Sequence, residues 1–211
     1  MLEVLDILED AHEIVSNAIR GFEARALDGE DAAMGLVFFA GLRKLASAGE
    51  AFCAARVAET NYWRRDGDRT PAHFVARVTG SSMAEAMAAT QVPERLRALP
   101  QTDHEFRAGG LTLAQARHIT EAAIVDPGAE ARLLDMAHRE PLGTLREECL
   151  RVKAAACVDD EARYRAIHAG RYLRNWTDAS GAFRLDTSAP ASGVSEAPRR
   201  KAPDASVQLR R

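Results

Sequence analysis

Apolar residues recur at helical intervals along the first third of the chain. Val4, Leu8, Ala11, Val15, Ala18 and Phe22 are separated by 4, 3, 4, 3 and 4 positions, the spacing that keeps a stripe on one side of a helix. Glu3, Asp6, Glu9, Glu13 and Arg20 fall mostly outside that stripe. Asp28-Gly29 interrupts the pattern. A second long helix is predicted from Asp31 to Trp63, with Leu36, Phe39, Leu42, Ala46, Gly49 and Cys53 along its seam. Two long helices joined by a short polar turn predict an antiparallel hairpin. A partner-binding coiled coil is the alternative use of the same pattern.

After the charged, glycine-containing stretch Tyr62 to Arg69 the texture changes to short helices with clear punctuation. Thr70-Pro71 is an N-cap followed by proline at the first helical position, and Gly80 is a stop. Ser82 with Glu85, Thr102 with Glu105 and Thr112 with Gln115 have capping-box spacing. Pro93 predicts a kink or restart, Pro100 an end, and Asp126-Pro127 another start. Leu113, Ala116, Ile119 and Ala123 share one helical face, as do Leu142, Leu145, Cys149, Val152 and Ala156. Only near residue 171 does the period become two. Tyr172 to Trp176 and Phe183 to Leu185 flank Asp178-Ala179-Ser180-Gly181, which predicts a β-hairpin. From Ser188 the chain is rich in Ala, Pro, Ser, Gly and Arg and reads as a disordered basic tail. The expected architecture is therefore all-α, or mainly α. It has a long helical hairpin over 1–66, a short-helix domain over 67–187 ending in one small β-hairpin, and a tail over 188–211.

Composition adds bounds to this outline. With 211 residues, 46% of them hydrophobic and 28% charged, the chain is long and apolar enough for a core of its own. Aromatics are 6%, which together with abundant alanine favours helices over a β-sandwich. A net charge of -3 lacks the basic surplus of a compact nucleic-acid binder, so any DNA contact must come from a local patch. Cys53, Cys149 and Cys157 are odd in number and have no zinc-knuckle spacing; they are expected to be small buried apolar residues in a reducing compartment. No basic segment precedes an apolar start, and the longest uncharged apolar run, Ala32 to Leu42, is about half a bilayer crossing. The cytoplasm, without membrane association, is the expected location.

Candidate chemistry is sparse. His12, His73, His104, His118, His138 and His168 are scattered, with no pair at helical metal spacing. Phosphate loops, dinucleotide glycine fingerprints, Cys-x-x-Cys and nucleophile elbows are all missing from the sequence. Glu147-Glu148 and Asp159-Asp160 are adjacent, so on a helix each pair diverges by about 100° instead of forming an acid–base couple. The expectation is no catalytic residue, no cofactor, no metal and no small-molecule substrate. Two stretches have the outline of a helix-turn-helix: Pro71 to Gln91 around Gly80-Ser81-Ser82, and Thr102 to Ile124 around Gly109-Gly110. Any small helical domain also contains such corners. The candidate nucleic-acid contacts are Arg64, Arg65, Arg69, Arg77, Arg95, Arg97, Gln115 and Arg117, with His118 beside them. A second basic cluster is Arg163, Arg165, Arg171 and Arg174.

Four stretches carry a family resemblance: Arg69-Thr70-Pro71-Ala72-His73-Phe74 through Gly80, Leu96 to Pro100, Ala108 to Ala116, and Tyr172 to Asp178 through Gly181 and Phe183. In order and spacing they resemble domain-of-unknown-function family 222, a helical region that typically precedes an HNH homing-type endonuclease module. The resemblance implies that chemistry resides in the HNH module, with its histidine base and metal ligands. No histidine follows His168 and no cysteine follows Trp176, so none of those residues maps onto this chain. What the resemblance implies here is a truncated member without nuclease activity: a non-catalytic, nuclease-associated helical domain with weak DNA binding. The alternatives are a protein–protein association module, with a homodimer through the N-terminal helices, and a non-functional truncated gene product.

Overall fold

The computed structural model describes residues 2–156, 172–177 and 183–188. The chain divides into two units, Met1–Ala156 and Cys157–Arg211. In the first unit every regular element is helical: α1 (Leu2–Arg20), α2 (Gly29–Glu59), α3 (Pro71–Thr79), α4 (Met83–Leu96), α5 (Pro100–Arg107), α6 (Leu113–Ala123), α7 (Glu130–Arg139) and α8 (Leu142–Ala155). Single 3-10 turns occupy Ala24–Ala26, Tyr62–Asp66 and Pro127–Ala129.

Local chemistry starts and stops most of these helices. Asp28 accepts hydrogen bonds from the backbone N–H groups of Glu30 and Asp31 at 2.9 and 2.8 Å, capping α2. The Thr70 hydroxyl accepts from the His73 N–H at 3.2 Å, Pro71 follows, and Gly80 closes α3 with φ 70°. That left-handed turn suits a residue without Cβ. Both reciprocal bonds of the capping box are present at Ser82/Glu85 on α4 and at Thr112/Gln115 on α6.

The third expected box is not made. α5 already begins at Pro100, after Leu99, which provides no side-chain cap. Thr102 therefore lies inside the first turn. Its N–H and its hydroxyl each donate at 2.8 Å to the same Glu130 carboxylate oxygen, from α7. The cap comes from 28 residues downstream, where no local spacing reveals it. Pro93 likewise neither ends nor restarts α4, which runs on to Leu96 with Pro93 buried.

α4 and α6 form the centre of the first unit, with the second half of α2, α3, α5, α7 and α8 packed around them. No residue from Leu113 to Ala123 is exposed. Ala48, Ala51 and Ala54 of α2 and Ala86 and Ala89 of α4 belong to the buried cluster. Small side chains on two neighbouring helices let their backbones approach, while Val92, Leu96, Phe106, Ile119, Leu133 and Leu145 fill the space beyond. Gly109, at φ 72°, accommodates Leu45, whose side chain lies 2.8 Å from where a Cβ would stand.

Two expectations about the N-terminal third are corrected. The buried register of α2 is Ala48, Ala51 and Ala54, whereas Leu36, Leu42 and Cys53 of the expected seam are exposed. Pattern reading gives weight to large apolar residues, but close helix packing here selects the small ones. Nor do α1 and α2 lie along one another as a hairpin. Val4 and Leu8 of the α1 stripe are 57% and 58% exposed. The connection is marked instead by the Phe22 ring, edge-on to Phe39 at 5.6 Å between centroids. Because α2 clusters with α3–α8, the α2–α3 junction is internal to the first unit.

In the second unit, the segments β1 (Tyr172–Thr177) and β2 (Phe183–Ser188) run antiparallel, Tyr172 opposite Ser188 and Thr177 opposite Phe183. The loop expected between them, the tail from 189 onward and Cys157 lie outside the described residues.

Candidate interaction surfaces

Apolar exposure on the first unit is concentrated. Of 21 exposed large hydrophobic residues, 13 lie between Val4 and Leu45. Leu5, Leu8 and Ile14 on α1, and Leu36 (71% exposed), Val37 and Phe38 (66%) on α2, form the heart of this arm. Scattered exposed leucines are ordinary, but this concentration on two successive helices marks a candidate interaction surface. α2 is 31 residues long, about 46 Å. By length and mean hydropathy it is apolar enough to cross a bilayer. Arg43 and Lys44 stand in the middle of it, however, and Ala48, Ala51 and Ala54 are sealed in the bundle.

The sequence-derived nucleic-acid candidates fall into separate environments. Arg77 bridges Asp66 at 2.9 Å and Asp68 at 2.7 Å, and those carboxylates push its pKa further up. Arg97 pairs with Glu59 at 2.7 Å; Arg56 and then Arg97 hold that carboxyl below its ordinary range. Arg95 meets Gln91 at 3.2 Å and Glu121 at 3.6 Å. Gln115 is consumed by its capping box and by donating to the Ala137 carbonyl at 2.8 Å, which ties α6 to α7. Arg64 lies over Trp63 and Arg65 over Tyr62, with ring-centroid distances of 5.0 and 5.1 Å. These two and Arg69 are exposed and have no carboxylate partner among the described residues. Of the second basic cluster, Arg163, Arg165 and Arg171 lie outside the described residues, as does the side chain of Arg174.

The helix corners expected to read DNA are present, but their second helices are ill suited to a groove. α6 is the central helix and presents no exposed residue. α4 presents Met83, Glu85, Met87, Gln91 and Glu94. A recognition helix needs a free face carrying donors for base edges and phosphates.

A cleft of about 810 Å³ opens between α2, the start of α4 and the start of α6. Arg43, Lys44 and Ser47 line it from α2, Ser82 and Glu85 from α4, and Arg117 from α6. Arg117 is among the contacts expected from the sequence; Arg43 and Lys44 are not. His118, next to Arg117, has its imidazole held below its ordinary pKa, first by burial and then by the Arg117 charge. Among the described residues no three His, Cys, Asp or Glu side chains are grouped to hold a metal ion. No family model, no curated protein and no solved structure matches the chain.

Proposed function

We propose that this chain is a non-catalytic helical association module of the kind that accompanies HNH nucleases, and that it acts by pairing with a second copy through α1 and the first half of α2. The observation that carries the reading is the exposed apolar arm from Val4 to Leu45. A standard interface buries about 800 Å² per partner, and the 13 exposed large hydrophobics of the arm are the surface available to supply it. A second copy is favoured as the occupant because α1 keeps the 4–3 spacing at which helices pair. Two such arms meeting about a two-fold axis would cover part of the apolar surface of each. The C-terminal β-hairpin, read from the alternation after residue 171, and a cytoplasmic location belong to the same reading.

Sedimentation of the full chain against a Leu36→Glu/Phe38→Glu variant is the test. The expected result is a concentration-dependent dimer that becomes monomeric in the variant with unchanged helical circular dichroism. A monomeric parent chain overturns the reading. A monomer that binds phosphatidylcholine vesicles through the same residues reassigns the arm to a membrane surface.

A second reading, weak DNA binding, is favoured by one observation: Arg64, Arg65 and Arg69 are close in sequence and exposed without carboxylate partners among the described residues. Three phosphate contacts give a log–log salt slope of about -3. A gel shift that persists in the Arg64→Gln/Arg65→Gln/Arg69→Gln variant removes these residues from consideration.

A further inference from the structure

We propose that the cleft between α2, α4 and α6 binds a small organic oxyanion, a carboxylate or phosphate carried on an apolar body, with Arg117 as its anchor. The first ground is uncompensated charge. Arg56, Arg77, Arg95, Arg97, Arg107, Arg132, Arg139 and Arg151 all have carboxylate partners. Arg43, Lys44 and Arg117, which converge on this cleft, have none among the described residues. Lys44 Nζ donates only to the Gly110 carbonyl, at 3.0 Å. Two carboxylates also line the cleft. Glu85 is turned onto the Ser82 N–H and hydroxyl at 3.0 and 2.8 Å, and Glu50 is exposed, so the balance stays positive.

The second ground is an unmade hydrogen bond. The Arg117 Nε–H is buried and has no acceptor. Its Nη2 contacts only the His118 ring Nε2, at 3.3 Å, and a neutral imidazole accepting that bond leaves the guanidinium charge uncancelled. A planar guanidinium with free donors suits a carboxylate or phosphate, which accept two parallel N–H bonds. The third ground is shape. Buried polar atoms without partners are rare, and the side chain that carries this one lines a cleft of about 810 Å³, within the range of small-molecule sites. Ala84, Ala88, Leu113, Ala114 and Leu142 supply an apolar wall for the ligand's body. The capping boxes already occupy amides at the starts of α4 and α6, so the side chains are the anchor.

Isothermal titration of the full chain with sodium octanoate, octyl phosphate, inorganic phosphate and 1-octanol tests the site. Saturable binding of one octanoate or octyl phosphate per chain is expected, with 1-octanol weaker by about tenfold or more. Arg117→Gln is expected to lose about tenfold and Arg43→Gln several-fold. Arg43 is exposed, so its variant keeps the thermal midpoint of the parent chain and remains decisive if Arg117→Gln fails to fold. Unsaturable binding, or equal affinity in Arg43→Gln and the parent, overturns the proposal. Inorganic phosphate binding as tightly as octyl phosphate overturns the apolar-body requirement. α1 carries Glu3, Asp6, Glu9, Asp10 and Glu13, and in a second copy it is the competing anion. Loss of dimer in Arg43→Gln without any octanoate binding assigns the cleft to that helix and overturns the small-molecule site.

Discussion

From Gly29 to Leu45, α2 turns Leu36, Val37 and Phe38 outward, while from Ala48 to Ala54 the same helix is sealed in the bundle by three alanines. The more apolar half is the more exposed one. Burial here depends on which neighbour comes close, and α4 meets the small residues of α2 with small residues of its own. Leu36, Val37 and Phe38 are left exposed, while Leu45 reaches Gly109 and Phe39 meets Phe22. The helix thus joins two regions of opposite character: a bundle whose core is complete, and an arm that is apolar and uncovered.

The sharpest way to break that comparison is a matched pair of truncations. Phe106 is fully buried beside Phe52, ring centroids 6.0 Å apart. Phe106→Ala should cost about 3–5 kcal/mol of unfolding free energy in urea titration. Phe38→Ala should change it by less than about 0.5 kcal/mol at concentrations where the chain is monomeric. Equal losses would mean that the arm is part of the core. Next in size, Glu130→Ala strips Thr102 of its only cap and should cost about 1–3 kcal/mol, with faster hydrogen exchange at the Thr102 amide. A neutral result would show that the α5–α7 link is replaceable by water.

Caps should also distinguish the regions. Thr112→Ala, at the start of the central helix, is expected to cost about 0.5–2 kcal/mol. Asp28→Ala, at the arm end of α2, should lower helical content locally and leave the urea midpoint nearly unchanged; a shared loss would tie arm and bundle into one cooperative unit. The smallest expected effect is a pH slope. Burial and Arg117 hold the His118 imidazole below its ordinary value. The unfolded chain therefore takes up this proton first as pH falls through about 6.5. Stability from the neutral imidazole is fully present above that value and declines as pH drops toward the lower folded value. His118→Gln should flatten the urea midpoint between about pH 7.5 and 5.5; an unchanged slope removes His118 as its source.

Thiol chemistry separates two cysteines that sequence reading treats alike. Cys149 is buried, and its thiol is pushed up to about 11, chiefly by desolvation. Cys53 is exposed on α2. The expectation of small buried residues holds for one and fails for the other, because Cys53 lies on the face of α2 turned away from Ala51 and Ala54.

By itself the sequence determined the helical class of the first unit and most of its punctuation. Thr70, Ser82, Thr112, Asp28 and Gly80 act through bonds to residues two to four positions away, so their effects are written locally. Only the tertiary structure decided which face of α2 is buried and that Glu130 caps Thr102. It also decided that Gln115, Arg77 and Arg97 are spent on internal partners, and that Arg43 and Lys44 stand across a cleft from Arg117. The separations involved, 28 residues for Thr102–Glu130, 38 for Arg97–Glu59 and 66 for Lys44–Gly110, explain why. Such contacts depend on which helices come to lie side by side, and that is settled by how closely alanine faces can approach, a property of pairs of helices that no single stretch of sequence contains.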